Sequence, residues 1–387
     1  MNKIYLDNAS TSFPKPSTVT EAVMDYMCNI GSNINRGCYE NAYSVEELVL
    51  ETRQLLSDLF NAKNCKNVVF TKNVTESLNV ILKGFLKEND HVLVSAMEHN
   101  SVMRPLNQLQ NNGVTFSRIP CNENGELVID EISKLITPQT KAIVMTHASN
   151  VCGTIMPLKE VGAICKENNL KFIVDCAQSA GTLSIDMEEM NIDALAFTGH
   201  KGLLGPQGIG GFILKEEMIN LITPLISGGS GSISHTEDIP EFMPDKFEAG
   251  TPNLPGIIGL RAGLLFLKDK GIENIRSHEL TLTKAFIDGI KPLIASKHIR
   301  LIGLDTIENR IGVVSIQTLN KDISEVAFKL DDTYQIMTRV GMHCAPNAHK
   351  TLNTYPTGTL RFSFGYNNTL NDVNLAINAL EEICHGN

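Results

Sequence analysis

Short apolar runs alternate with amphipathic stretches between residues 44 and 214. Runs rich in Val, Ile, Leu and Phe predict buried strands at 68–71, 91–96, 141–147, 171–175, 194–198 and 211–214. Helical periodicity lies between the earlier runs, for example over 126–136 and 158–169. Strands that are apolar on both faces and separated by helices indicate a mostly parallel sheet covered on both sides. The pattern therefore predicts an α/β fold.

Local signals set the helix starts and the domain boundary. Ser44 and Glu47 have the spacing of a capping box and predict a helix beginning at Ser44. A further helix is expected over 75–86. Beyond residue 256 the pattern reads as helix, strand and helix. We expect a large domain over 16–256 and a small α+β domain over 257–387 that includes the N-terminal segment 1–15.

Composition excludes some partners. The chain has 387 residues and a net charge of −10, which argues against nucleic acid and anionic membranes as partners, since both require a basic face. No run approaches the roughly 18 apolar residues of a membrane span. The N-terminus has no signal-peptide core, so a cytoplasmic location is expected. Nine scattered cysteines without a Cys-x-x-Cys pair suggest neither a disulfide framework nor a metal site.

Polar residues follow the predicted strands at their carboxyl ends, where ligands bind in open α/β sheets. They are Thr75, His99, Asn150, Asp175, Gln178, Thr198, His200 and Lys201. Each has a structural alternative: Thr75 could be a helix cap, His99 a core histidine and Lys201 a solvated surface residue. Their shared position at strand ends favours a functional site.

Pyridoxal-phosphate (PLP) catalysis requires such a set. It needs a lysine for a Schiff base, a carboxylate against the pyridine nitrogen, and a helix N-terminus with hydroxyl groups for the phosphate. Asp175 and Lys201 lie 26 residues apart on successive strands and suit the first two roles. Glycines around Lys201 are expected to let the backbone approach the ligand closely.

Several stretches carry a family resemblance that runs nearly end to end: "YLDNAST", "MEHNS", "HASNVCGT", "DCAQS", "TGHKGLLGPQGIG", "FEAGTPN", "RVGMHCAP" and "LRFSFGYNNT". Together they resemble the class V aminotransferase family, and within it the cysteine desulfurase and selenocysteine lyase group. The resemblance implies the PLP-dependent transferase (aspartate aminotransferase-like) fold. It also implies a homodimer whose active sites are shared between subunits.

The resemblance implies roles around the cofactor ring. Lys201 would form the Schiff base and Asp175 would pair with the pyridinium nitrogen. His99 would stack on the ring and assist proton transfer. Gln178 and Asn150 would contact the ring or its phenolic oxygen.

It implies a phosphate site as well. Thr75, Thr198 and His200 would hold the phosphate, and Thr251 would reach the phosphate of the partner subunit. The desulfurases usually carry paired threonines where this chain has Val74-Thr75, so one hydroxyl group is missing.

The resemblance also implies a substrate pocket that contains arginines. Arg361 would bind the α-carboxylate as a bidentate fork, and Arg339, Arg36 and Asn35 would line the pocket. The family often has histidine where this chain has Asn35, which bears on proton chemistry and substrate choice.

The role of Cys344 distinguishes the possible functions, because this cysteine is either structural or a nucleophile. Read alone, it would be a structural cysteine in an irregular loop between Gly341 and Pro346. His343 beside it could raise the thiolate population. The resemblance makes Cys344 the nucleophile that takes sulfur from the substrate.

The leading hypothesis is therefore a cysteine desulfurase that yields alanine and a persulfide on Cys344, with an unidentified acceptor protein for the sulfur. The alternatives are a selenocysteine lyase, which may not need Cys344, another PLP aminotransferase or β-lyase, and a scaffold without turnover. The set of Lys201, Asp175 and Arg361 argues against a scaffold.

Overall fold

The computed structural model describes residues 3–34, 37, 39–233 and 235–386. The chain begins with a short strand, β1 (Ile4–Tyr5). Within the described residues, seven strands then form a central sheet in the order β2-β8-β7-β6-β5-β3-β4. They are β2 (Val68–Thr71), β3 (His91–Ser95), β4 (Thr115–Ile119), β5 (Thr140–Thr146), β6 (Lys171–Asp175), β7 (Ala194–Thr198) and β8 (Gly210–Leu214).

Only β8 runs against its neighbours in this sheet; the other pairs are parallel. The mostly parallel sheet and the six predicted strands are thereby confirmed. Every residue of β3, β7 and β8 is buried, as expected for strands covered on both faces. The edge strand β4 was not predicted, because its polar, partly exposed residues lack an apolar run.

Helices cover both faces of the sheet. They are α1 (Ser17–Asp25), α2 (Glu40–Leu59), α3 (Val74–Phe85), α4 (Asn100–Gln110), α5 (Ile132–Leu135), α6 (Leu158–Glu167), α7 (Glu216–Ile219) and α8 (Leu254–Lys270). Apolar residues of α2, α6 and α8 pack with one face of the sheet. Those of α3 and α4 pack with the other.

Two predicted helices need correction. Helix α2 begins at Glu40 rather than Ser44, because Ala42 is already buried on its apolar face. The hydroxyl of Ser44 donates to the carbonyl of Glu40 within the helix instead of capping it. The stretch 126–136 is a 3₁₀ turn followed by the short α5, because a bridge between Cys121 and Leu127 holds its start extended.

A second layer of structure follows α8. Its helices are α9 (Ile272–Gly289), α10 (Lys291–Ala295), α11 (Ile323–Asp332), α12 (Pro346–Thr351) and α13 (Leu370–His385). Strands β9 (Ile299–Ile302), β10 (Val313–Thr318), β12 (Arg339–Gly341) and β13 (Thr359–Ser363) form an antiparallel sheet in the order β12-β13-β10-β9. Strand β11 (Ile336–Met337) pairs in parallel with β1.

The N-terminal segment packs with this second layer. Ile4 and Leu6 lie in one apolar core with Phe286, Phe362 and Leu380. The predicted boundary after residue 256 falls within α8 and stays a prediction. No helix in the described part of the chain is long and apolar enough to cross a membrane.

Candidate active site

A cleft of about 330 Å³ lies where the carboxyl ends of the parallel strands meet the N-terminal segment and the small sheet. It brings together residues that are far apart in the sequence. Its walls include Ser10, Thr75, His99, Ser101, Asn150, Asp175, Gln178, Thr198, His200, Lys201, Arg339, His343, Cys344 and Arg361. The topology therefore gathers nearly all of the predicted site residues into one cleft.

Asp175 and Lys201 form the charged centre of this cleft. Asp175 ends β6, is 2% exposed, and accepts a hydrogen bond of 2.9 Å from the amide of Ala177. Burial raises its pKa, while the Ala177 amide and Lys201 oppose that rise. Burial lowers the pKa of Lys201 to about 8, although Asp175 favours the charged amine. An amine that loses its proton this readily is suited to act as a nucleophile.

The glycines around Lys201 serve the packing of the protein itself. A Cβ atom at Gly202 would lie 2.5 Å from the carbonyl oxygen of Ala180. At Gly199 it would lie 2.8 Å from the side chain of Ile209. Neighbouring protein atoms therefore already require glycine at these two positions, and the expectation that the glycines let the backbone approach a ligand stays a prediction.

The edge of the cleft beside α3 is suited to an anion. The buried Thr198 Oγ1 and His200 Nδ1 have no hydrogen-bond partner among the residues that the structure describes. Asn73 caps α3, and the amides of its first turn point out of the helix at Val74 and Thr75. Buried polar atoms without a partner, beside a helix N-terminus, are the arrangement that a phosphate group would satisfy.

His99 belongs to a hydrogen-bonded chain. Its Nδ1 accepts from the amide of Ser101 at 3.0 Å, and the Ser101 hydroxyl lies 2.8 Å from both this nitrogen and the Thr75 hydroxyl. Burial, followed by the charges of Lys201 and of Arg104, lowers the pKa of His99 to about 4. The ring is therefore neutral at pH 7, and its proton is on Nε2.

Arg361 and Arg339 share acidic and hydroxyl partners. Nη2 of Arg361 donates to Asp7 Oδ1 and to Ser10 Oγ, both at 2.8 Å. Its Nη1 donates to the carbonyl of Asn150 at 2.8 Å, whereas its buried Nε has no partner in the described part of the chain. Arg339 Nη1 donates to the same Ser10 hydroxyl at 2.9 Å. The arginines thus stand side by side at the inner wall.

Cys344 is exposed at the mouth of the cleft, on a backbone held at several points. Its carbonyl accepts from the amide of Asn100 at 2.8 Å, and the side chain of Asn150 donates to the His343 carbonyl at 2.7 Å. His343 and Cys344 have φ values of 45° and 56°, which are unfavourable for residues with a Cβ atom. These bonds hold the strained turn in which Cys344 faces the cleft.

His343 does not supply a positive charge to Cys344. Its Nε2 lies 2.9 Å from the hydroxyl of Thr359, and burial followed by the charge of Arg361 lowers its pKa to about 2. The expectation that His343 promotes the Cys344 thiolate is therefore wrong, because the imidazole is buried and neutral.

Gln178 and Asn150 reach the cleft with their amide nitrogens already bonded. Gln178 Nε2 donates to the carbonyl of Ala9 at 3.0 Å. Thr251 is exposed and does not line this cleft. Asn35 and Arg36 lie outside the described residues, so their predicted roles stay predictions.

Sequence reasoning missed the roles of Asp7, Ser10 and Ser101. Asp7 and Ser10 lie in "YLDNAST", where no periodicity marks them, and only the folded N-terminal segment brings them to Arg361. Ser101 follows His99 closely in "MEHNS", and a hydroxyl at this spacing from a helix-capping residue was the available signal.

The fold and the cleft define an enzyme class that uses PLP. The chain belongs to the class V aminotransferases: the model of that family, "Aminotransferase class-V", matches residues 4–375. Members of the family depend on PLP.

Two relatives that match nearly the whole chain share one description. A probable cysteine desulfurase of Methanothermobacter thermautotrophicus is 34% identical over 390 residues, covering 98% of this chain and 94% of the relative. A probable cysteine desulfurase of Pyrococcus abyssi is also 34% identical, over 389 residues and the same shares.

Solved structures agree with these relatives. The apo structure of a cysteine desulfurase from Thermococcus onnurineus NA1 superposes with a TM-score of 0.92 at 33% identity, covering 100% of this chain and 95% of that one. The cysteine desulfurase CsdA of Escherichia coli gives 0.88 at 29% identity, with 98% and 94% covered. The predicted family and fold are thereby confirmed.

Proposed function

We propose that the protein is a PLP-dependent cysteine desulfurase, which converts L-cysteine to L-alanine and leaves the sulfur as a persulfide on Cys344. One observation carries the proposal: an exposed cysteine faces the cleft that holds Lys201, Asp175 and Arg361. The names of the relatives support the same activity.

The residues of the cleft fit the cofactor. Lys201 would hold PLP covalently, Asp175 would hold the proton on its ring nitrogen, and His99 would cover the ring. The unpaired Thr198 Oγ1 and His200 Nδ1, with Thr75 and the start of α3, would hold the phosphate. When bound, PLP supplies an electron sink for a carbanion at the substrate Cα. Backbone amides of α3 would compensate for the hydroxyl that Val74 lacks.

The chain's own groups then bind substrate and move protons. Arg361 would orient the α-carboxylate, with Arg339 beside it. The Lys201 amine, with a pKa of about 8, can accept and return a proton near neutral pH. The neutral His99 can donate from Nε2, because Ser101 occupies Nδ1.

Cys344 would take the sulfur. Its thiolate forms an S–S bond with the substrate sulfur while the C–S bond breaks, and the electron pair of that bond stays on the carbon. The carbon takes up a proton, and the product leaves as alanine. One sulfur atom is thus transferred from cysteine to Cys344, and no external oxidant is needed.

A homodimer with a shared active site is part of the proposal. Thr251 lies outside the cleft of its own chain, and α1 and α2 carry exposed apolar side chains. Leu50 of α2 lines one cavity with Gly250, and Met24, Met27 and Tyr43 are also exposed. Exposed apolar surface of this kind suits an interface between subunits that would bring Thr251 to the partner's phosphate.

We also propose a cytoplasmic location and an acceptor protein for the persulfide sulfur. The eight cysteines that the structure describes are free thiols, and a reducing compartment maintains that state. The proposed domain division pairs segment 1–15 with 257–387, which the packing of Ile4 and Leu6 supports.

The test compares wild type with Cys344→Ala on two substrates. Wild type should be yellow, form alanine from cysteine, and gain one sulfur atom on Cys344 by intact mass. Cys344→Ala should form no alanine from cysteine but should retain turnover of selenocysteine, because selenium leaves more readily. The control is Cys384→Ala, which replaces a buried cysteine of α13 that does not line the cleft, and it should behave as wild type. Desulfuration of cysteine by Cys344→Ala at the wild-type rate would contradict the persulfide mechanism. Preferential turnover of selenocysteine by wild type would favour a selenocysteine lyase.

A further inference from the structure

The carbonyl of His200, which belongs to the peptide bond with Lys201, accepts from four donors of one short segment. The Lys15 ammonium lies 2.7 Å from this oxygen, the Ser12 amide 3.0 Å, the Thr11 hydroxyl 3.1 Å and the Ser12 hydroxyl 3.2 Å. The ammonium also donates to the Ser12 hydroxyl at 2.7 Å. Segment 11–15 therefore holds the backbone directly before Lys201.

This carbonyl lies between two others that the turn around Lys201 holds by itself. The amide of Gly205 donates to the Gly199 carbonyl at 2.8 Å, and the amide of Leu204 donates to the Lys201 carbonyl at 2.9 Å. Within the described residues, the carbonyl between them is held by segment 11–15 alone. Movement of its peptide would shift the Cα atom of Lys201 and change where the amine reaches. A displacement of about 1 Å can slow a reaction about a hundredfold.

Lys15 is the charged member of this segment. Its side chain is partly buried, and burial lowers its pKa to about 8, so the amine keeps its proton at pH 7. In the described part of the chain its two acceptors, the Ser12 hydroxyl and the His200 carbonyl, are both neutral. A hydrogen bond from a charged donor is roughly twice as strong as one between neutral groups. Of the four contacts on the His200 carbonyl, the one from Lys15 therefore contributes most.

We propose that Lys15 is a positioning residue for Lys201: its hydrogen bond to the His200 carbonyl fixes the peptide from which the Lys201 side chain enters the cleft. The inference rests on the proposed function, in which Lys201 holds PLP. The same stretch of chain reaches the substrate wall, since the hydroxyl of Ser10 accepts from Arg361 at 2.8 Å. It therefore sets the lysine and the arginine at a fixed distance from each other.

The experiment measures how fast the full-length protein, freed of cofactor, attaches PLP. Other residues of the cleft would bind the phosphate and the ring, so the rate of colour formation at saturating PLP reports the position of the Lys201 amine. Lys15→Met keeps the length of the side chain and removes its donors. It should slow colour formation about tenfold, the low end for a hydrogen bond from a charged group, because Thr11 and Ser12 still hold the carbonyl. The Kd of the initial PLP complex should stay within about twofold.

Three further variants separate position from charge and from folding. Lys15→Arg keeps a charged donor and should restore most of the rate. Thr11→Val removes another donor to the same carbonyl and should slow attachment less than Lys15→Met does; it carries the test if Lys15→Met does not fold. Lys3→Met removes an exposed lysine near the same end of the chain and should behave as wild type.

Hydrogen exchange in the PLP-free protein gives a readout that does not depend on the cofactor. The Ser12 amide donates to the same carbonyl, so its exchange should be faster in Lys15→Met than in wild type. Unchanged exchange of this amide would contradict the role of Lys15 in holding the carbonyl.

The proposal is overturned if Lys15→Met attaches PLP within about twofold of the wild-type rate, or if Lys15→Arg is as slow as Lys15→Met. It is also overturned if Lys3→Met is equally slow. Lower stability in urea with an unchanged attachment rate would leave Lys15 a structural role only. Alanine formation from cysteine tests the proposed function separately: a wild type that attaches PLP but forms no alanine is not a desulfurase, and its attachment rates still test Lys15.

Discussion

The segment that leads to Thr251 is held by a buried ion pair whose removal has a calculable cost. Arg53 of α2 and Glu248 approach to 2.6 Å, with side chains only 7% and 16% exposed. Glu248 Oε1 also accepts from the amide of Phe70 at 2.6 Å, and Arg53 Nη1 donates to the carbonyl of Val68. The pair therefore joins α2, β2 and the segment before Thr251.

Glu248→Ala should lower the free energy of unfolding by about 3–5 kcal/mol, because it leaves the guanidinium of Arg53 buried without a counter-charge. Glu248→Gln should cost less, about 2 kcal/mol, since an amide oxygen can still accept from Phe70. Adding Arg53→Met to Glu248→Gln removes the unpaired charge, and the double variant should be more stable than the sum of the two single losses by at least about 1 kcal/mol.

Urea unfolding measures these differences, and limited proteolysis between 229 and 252 reports whether the segment itself is released. Glu51 is the matched control: it pairs with Arg261 at the same 2.6 Å, but with side chains 44% and 25% exposed. Solvent screens that pair, so Glu51→Ala should cost far less. A loss for Glu248→Ala no larger than that for Glu51→Ala, or strictly additive losses in the cycle, would refute the reasoning.

Two further variants test the cleft and the core beneath it. Arg361→Lys keeps the charge but loses the fork, so the KM for cysteine should rise about tenfold or more with a smaller change in kcat, and steady-state kinetics showing an unchanged KM would remove Arg361 from the substrate site. Burial raises the pKa of Glu98 to about 8 from 4.5, although Ser95 and the Thr146 amide donate to it. The folded state therefore binds this proton more tightly than the unfolded state, and stability is lost as pH rises from about 4.5 through 8. The melting temperature of Glu98→Gln minus that of wild type should therefore increase between pH 5 and pH 8. A difference that stays constant over this range would contradict a buried neutral Glu98.

Much of the architecture could be predicted from the sequence, because a strand that is buried on both faces is a continuous run of apolar residues. The strands ending at Asp175 and Thr198 are continuous apolar runs, and the parallel arrangement follows from the helices between them. The same order predicts that Asp175 and Lys201 meet at one edge. The family motifs added residues of the small sheet, such as Arg361, to the predicted site. No periodicity in the sequence connects Arg361 to the edge of the large sheet.

Contacts between segments far apart in the chain were decided by tertiary structure alone. Asp7 reaches Arg361 because β1 and the residues after it lie against β11 and β13, across more than 350 positions of sequence. Nothing local to "YLDNAST" encodes which arginine its carboxylate will meet.

Protonation states depended on the fold in the same way. The sequence placed His343 next to Cys344 and suggested an activating charge, but adjacency in the chain does not determine the dielectric surroundings of a ring. Folding buries that imidazole against Thr359 and makes it neutral, whereas it leaves Cys344 exposed at the mouth of the cleft. Residue identity is set by the sequence, but the energy of a charge is set by the solvent, dipoles and charges that the whole fold assembles around it.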